Sequence, residues 1–217
     1  MDQWCESAYF YDMRTFIVSI LASLLSFATP ALAQDKTQPP EAALAKDKLS
    51  IEERKRIDSR LLDNLMARLQ RATSQEQAKA IENTILQLWL RVYSPSVEVL
   101  MKQAIRAMND EKYAPALTLL DTVIELAPDY AEAWNKRATA YFYERDYERS
   151  LADIEQVLQL EPRHFGALTG RGLVQQALGK KKKALDAFRE ALEIHPFLDG
   201  AKSGVKALAK EVEGERI

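Results

Sequence analysis

Pro128, Pro162 and Pro196 stand 34 residues apart, each closing an amphipathic run that reads Glu-Leu-Ala-Pro, Gln-Leu-Glu-Pro or Glu-Ile-His-Pro. A fixed period of this length marks a chain that stacks one supersecondary unit on the next. With each proline at position 32, the units are 97–130, 131–164 and 165–198. Position 4 is then Leu100, Trp134 and Leu168; position 8 is Ala104, Ala138 and Gly172. Position 20 is Ala116, Ser150 and Ala184; position 24 is Leu120, Ile154 and Phe188; position 27 is Val123, Val157 and Ala191. Positions 4, 8 and 11 share one helix face, as do 20, 24 and 27. Each unit is therefore expected to be two amphipathic helices joined by a turn, at 109–112, 144–146 and 179–180. Small residues at positions 8 and 20 let two backbones approach, and the proline ends the second helix.

In these residues and this phase the chain resembles the tetratricopeptide repeat family over 97–198. The resemblance implies an all-α, right-handed superhelical solenoid of helix pairs with a concave groove that binds proteins or peptides. Gln103, Arg137 and Arg171 depart from the family at position 7, usually aliphatic, and Lys181 stands where Tyr113 and Tyr147 supply an aromatic. In the family the groove wall comes mainly from positions 2, 5, 6, 9, 12 and 13 of each first helix. Carried onto this chain, the first unit offers Glu98, Met101, Lys102, Ile105, Met108 and Asn109. The second offers Glu132, Asn135, Lys136, Thr139, Phe142 and Tyr143, and the third Gly166, Thr169, Gly170, Leu173, Gln176 and Ala177. The candidate partner-binding residues among these are Met101, Ile105, Met108, Asn135, Lys136, Thr139, Phe142, Tyr143, Thr169 and Leu173. Family members that act as chaperone cofactors grip a C-terminal carboxylate with Lys, Asn and Arg. Met101, Ile105, Lys136, Gly166 and Gly170 stand at those places here, so the resemblance implies a partly apolar segment as ligand instead.

One helix pair cannot bury its own apolar face, so the array needs covers at both ends. Residues 50–94 are expected to form an N-terminal hairpin, with capping boxes at Ser50/Glu53 and Ser74/Gln77 and a stop at Pro95. Its first helix carries Ile51, Ile57, Leu61, Leu62, Leu65, Met66 and Leu69, and its second Ala78, Ile81, Ile85, Leu86, Leu88, Trp89 and Val92. The expected role is to cover the open face of the first unit. Two alternatives are a hairpin for self-association and one that fills part of the groove. At the other end, 199–217 is expected to be a capping helix opened by Asp199, with Ala201, Val205, Leu208 and Val212 on one face.

Chemistry-bearing constellations do not assemble in the sequence. His164 and His195 are the two histidines, both beside turns and neither in a metal-ligand spacing. Gly170-Arg171-Gly172 lies in mid-helix with no strand before it, so close packing explains it better than a phosphate cradle. Carboxylates such as Asp153, Glu155, Asp186 and Glu190 have Arg and Lys neighbours on the same faces. The expectation is a non-enzyme with no cofactor or metal. A net charge of −2 gives no electrostatic case for nucleic acid, and Lys180–Lys183 reads as a solvated turn.

The N-terminal segment adds an address. From Met13, Arg14 is followed by the apolar run 16–27 and by the small-residue site Ala31-Leu32-Ala33, the three parts of a secretory signal peptide. Met13 is the expected start, with cleavage after Ala33 and a linker over 34–49. The alternative is an uncleaved membrane anchor, but the 12-residue apolar run falls short of the 20 or so residues a span requires. Cys5, the single cysteine, has no partner for an internal disulfide. The function expected is that of an exported, periplasmic or secreted interaction module that holds a partner protein or peptide in its groove. The alternative is an assembly component of an envelope complex acting through 50–94, with self-association possible.

Overall fold

The computed structural model describes residues 49–214. The expected signal peptide, Met13, Cys5 and most of the expected linker lie outside the described residues. The described residues fall into two units, divided between Lys55 and Arg56. In the first, Ser50 forms the expected capping box: its N–H donates to Glu53 Oε2 at 2.9 Å, and Glu53 N–H donates to Ser50 Oγ at 3.2 Å.

Among the described residues all regular structure is helical. The helices are α1 (Ile51–Gln70), α2 (Gln75–Trp89), α3 (Pro95–Asn109), α4 (Tyr113–Leu126), α5 (Ala131–Tyr143), α6 (Tyr147–Leu160), α7 (Phe165–Ala177), α8 (Lys181–Ile194) and α9 (Asp199–Glu213). The three expected units are the pairs α3–α4, α5–α6 and α7–α8, each packed on the next, with α9 closing on α8. The second helix of each pair ends two residues before its proline, as the period requires. Pro95 plays the opposite part to the one expected: α2 has already stopped at Trp89, and Pro95 opens α3, where its missing N–H is no loss. Similarly Asp199 is the first residue of α9 rather than its cap, which is Leu198.

The repeat frame fixes what is buried. Position 20 (Ala116, Ser150, Ala184), position 24 (Leu120, Ile154, Phe188) and position 27 (Val123, Val157, Ala191) are buried in every unit. Volumes compensate across the helix pair. Ala104 shares a core cluster with Leu120 and Ala138 one with Ile154, and Gly172 takes the ring of Phe188, which a Cβ on Gly172 would meet at 2.5 Å. Gly204 of α9 holds the other side of the same ring, where a Cβ would meet it at 2.4 Å. Close packing thus accounts for Gly172, as expected. Position 15 is equally periodic: Glu111, Arg145 and Gly179 all take left-handed φ values of 58°, 61° and 71°. Each lets the next N–H reach back five residues, as Lys112 does to Ala107 O at 2.8 Å, and so ends the first helix of its pair.

The arginines at position 7, departures from the family pattern, bridge neighbouring second helices. Arg137 donates to both oxygens of Asp153 in its own unit and to Asp121 of the preceding one, each at 2.8 Å. Burial raises the Asp153 carboxyl above its ordinary value against the pull of this guanidinium. Arg171 repeats the motif with Glu190 and, at 4.0 Å, Glu155.

The hairpin α1–α2 departs from expectation. Its core of Leu65, Met66, Leu69, Ala78, Ile81, Ile85 and Leu88 closes on Phe165, Ile194, Phe197 and Leu198, at the inter-repeat turns, and not on the face of the first unit. Ile57 and Leu61, expected on its apolar face, are exposed, as is Ile51. Val92 belongs not to α2 but to the connector, where it joins Leu90 against the core of the first unit. At the lower end of the hairpin, Asp58 accepts from Arg91 and from Tyr93.

Candidate functional site

Two surfaces of the repeats bear on function: the edge made by the inter-repeat turns, and the groove wall made by the first helices. The edge is occupied by the hairpin. α1 follows it upward, with Asp63 accepting from Arg163 at 2.8 Å and Gln70 donating to Glu193 O at 3.5 Å. One repeat separates those two contacts, and seven residues of helix, about 10 Å of rise, span it. α2 then comes back down. Gln75 donates to Phe197 O and Asp199 at 3.2 Å, Glu82 accepts from His195 at 3.3 Å, and Trp89 stacks on His164 with ring centroids 4.0 Å apart. Leu90 O, just after the helix, accepts from Tyr130 Oη at 3.0 Å. Tyr130, His164 and Leu198 all hold position 34, so the same residue of each unit meets the hairpin or its connector.

Both histidines are turn residues, as the sequence suggests, but they are also buried docking points. His164 is the N-cap of α7, and its Nδ1 accepts from Ala167 N–H at 3.1 Å. An imidazole that accepts at Nδ1 carries its proton on Nε2, and there His164 faces Glu132 at 3.1 Å. His195 repeats the arrangement, accepting from Phe197 N–H at 3.3 Å and facing Glu82.

Glu132 links this edge to the groove. It is only 4% exposed, and besides His164 its carboxylate meets Lys136 Nζ at 2.9 Å and Asn135 Nδ2 at 3.0 Å. Against the cost of burial, Lys136 and His164 hold its carboxyl down at about 2. Glu82, under His195 and Lys79, is also held below the ordinary value in spite of burial.

The ten groove candidates fall into two sets. Asn135, Lys136, Thr139 and Thr169 have their polar groups turned inward. The hydroxyls of Thr139 and Thr169 donate to Asn135 O and Phe165 O at 2.9 Å, and Thr169 is itself buried, with its methyl toward Gly200 of α9. Met101 is buried and Ile105, Met108 and Phe142 half-buried, whereas Tyr143 is 40% and Leu173 38% exposed. Tyr143 stacks on Tyr113 of the first unit at 5.0 Å and meets Phe142 edge-on at 5.8 Å. None of the ten belongs to the hairpin's core cluster. Sequence reasoning missed Tyr113 as the second face of this aromatic group.

The fold agrees with comparisons to known proteins. A model of the tetratricopeptide repeat matches residues 101–142 and 135–199. A TPR repeat-containing protein of Rhizobium etli is 36% identical over 198 residues, 90% of this chain and 97% of the relative. The small glutamine-rich tetratricopeptide repeat-containing protein 2 of Saccharomyces cerevisiae is 26% identical over 118 residues, 54% of this chain but 34% of its own length. Among solved structures, the Sgt2 TPR domain from Aspergillus fumigatus aligns with a TM-score of 0.53 at 23% identity, over 55% of this chain and 81% of that one. The first TPR of Spaghetti, bound to the HSP90 peptide SRMEEVD, aligns with a TM-score of 0.54 at 21% identity, over 57% and 98%. The chain belongs to the tetratricopeptide repeat family, all-α scaffolds of protein–protein interaction rather than catalysis. No helix among the described residues is long and apolar enough to cross a membrane.

Proposed function

We propose that this is an exported, non-catalytic interaction module that holds a partly apolar segment of a partner protein in the groove of its first helices. The supporting observation is the wall itself: it carries an aromatic group at Tyr113, Phe142 and Tyr143 and an exposed Leu173 in the next unit, while its threonine hydroxyls are turned onto their own helices. A segment laid in such a groove gains from apolar contact and excluded water, with specificity from the few pockets. The reading that the molecule assembles through its hairpin has less to work with, because most of the hairpin's large apolar residues are packed on the turn edge and only Ile51, Ile57 and Leu61 at its start stay exposed.

A photoreactive residue at Leu173 tests this in envelope extract. The account expects it to trap one defined segment. The same segment as a synthetic peptide should then bind, and Phe142→Ala with Tyr143→Ala should weaken it at least tenfold with the helical signal unchanged. Unchanged affinity in that folded variant would remove the groove from the account. Export is checked separately, by sequencing the mature N-terminus, expected at Gln34.

A further inference from the structure

We propose that Glu132 is the residue that sets the groove's ligand class: by occupying Lys136 and Asn135 it makes the wall accept an uncharged apolar segment and refuse an acidic chain end. This rests on the groove reading above. The groups of the second unit that could receive a carboxylate converge on Glu132 instead. Lys136 Nζ lies 2.9 Å from Oε1, while Asn135 Nδ2 and His164 Nε2 lie 3.0 Å and 3.1 Å from Oε2. The neighbouring units do not replace them. At the matching positions the first unit has Met101 and Lys102, the latter paired with Glu98 at 2.5 Å, and the third has Thr169 and Gly170.

An acidic ligand reaching Lys136 would have to break a buried ion pair or set a second carboxylate beside the first. Both cost free energy that an uncharged segment does not meet, and rejection of this kind is how a binding surface separates two otherwise similar ligands. The internal acid is held in place from behind. His164, which faces Glu132, is covered by the ring of Trp89 in the hairpin. Removal of the hairpin would therefore loosen the group that neutralises the groove.

Titration calorimetry on the full chain tests the assignment, with two probes: SRMEEVD with a free carboxylate, and its amidated counterpart with Gln for Glu and Asn for Asp. The wild type is expected to bind the acidic probe no better than the neutral one. Glu132→Gln, confirmed folded by circular dichroism, should bind the acidic probe at least tenfold more tightly than the wild type. Adding Lys136→Gln should cancel that gain, which a merely structural role for Glu132 would not produce. Where Glu132→Gln does not fold, Glu132→Asp, which shortens the reach to Lys136, should give a smaller gain in the same direction. A folded variant with less than a twofold change, or a wild type that already prefers the acidic probe tenfold, overturns the assignment. Neither result touches the groove reading, which stands or falls on the Leu173 cross-link.

Discussion

The hairpin and the repeats are made of the same material, paired amphipathic helices, but they find their partners by different rules. Each repeat packs through positions its own period supplies, such as Phe188 on Gly172, and the last closes on the capping helix through Gly204. The hairpin packs across that period, on residues that the repeats place at their turns: His164, Phe165, Ile194 and Phe197. One set of contacts is generic to a stacked array, the other is particular to this chain. The difference explains why the edge is closed by the molecule itself while the groove beside it keeps Tyr143 and Leu173 in solvent.

The comparison breaks most visibly if the repeat core proves dispensable. Phe188→Ala is expected to cost about 3–5 kcal/mol in urea denaturation, because the two glycines that accommodate the ring cannot refill its volume. Trp89→Ala should cost about 2–4 kcal/mol, and selectively. Hydrogen exchange should show α1 and α2 losing protection while α5–α8 retain it; uniform loss would mean that hairpin and repeats are one cooperative unit.

Acid gives a third contrast. The folded values of Glu132 and Glu82 lie below the ordinary carboxylate value, so their contribution is complete above about pH 4.5 and is lost as pH falls, for Glu132 toward about 2. Both carboxylates sit under histidines at the hairpin edge, so Trp89 fluorescence should change before the far-ultraviolet helical signal does. Glu132→Gln should flatten the urea midpoint between those pH values. A smaller effect, and a gain, is expected at the periodic turns: Arg145→Gly relieves a left-handed φ and should stabilise by about 0.5–1 kcal/mol, where Gly179 already has the residue the turn favours. Smallest of all, Lys102→Ala removes an exposed ion pair with Glu98 and should shift stability by less than about 0.5 kcal/mol.

Much of this architecture is legible in the sequence because the repeats advertise their phase. Pro128, Pro162 and Pro196 set the frame, and Leu120, Ile154 and Phe188 are buried where it puts them. The hairpin's helices are legible too, through the cap at Ser74 and the apolar rows before and after it, although Gln77 accepts from Thr73 N–H rather than from Ser74. Its docking is not, because amphipathicity says that a face must be covered without saying by what. A signal was present: Tyr130, Phe165 and Phe197 are bulky apolar groups at turns, where solvent contact would not retain them, and both histidines stand among them. In the groove, residue types alone could not show that Lys136 is already paired or that two threonines turn their hydroxyls inward. Those facts depend on Glu132 and on carbonyls one helical turn away.

The account turns on where the hairpin lies, and proton cross-relaxation between the Trp89 indole and the His164 imidazole measures that directly. With centroids 4.0 Å apart and planes within 10°, the two rings should give strong cross-peaks and upfield-shifted His164 ring protons. Cross-peaks from Trp89 to the α3–α4 pair in their place would put the hairpin on the first unit and contradict it.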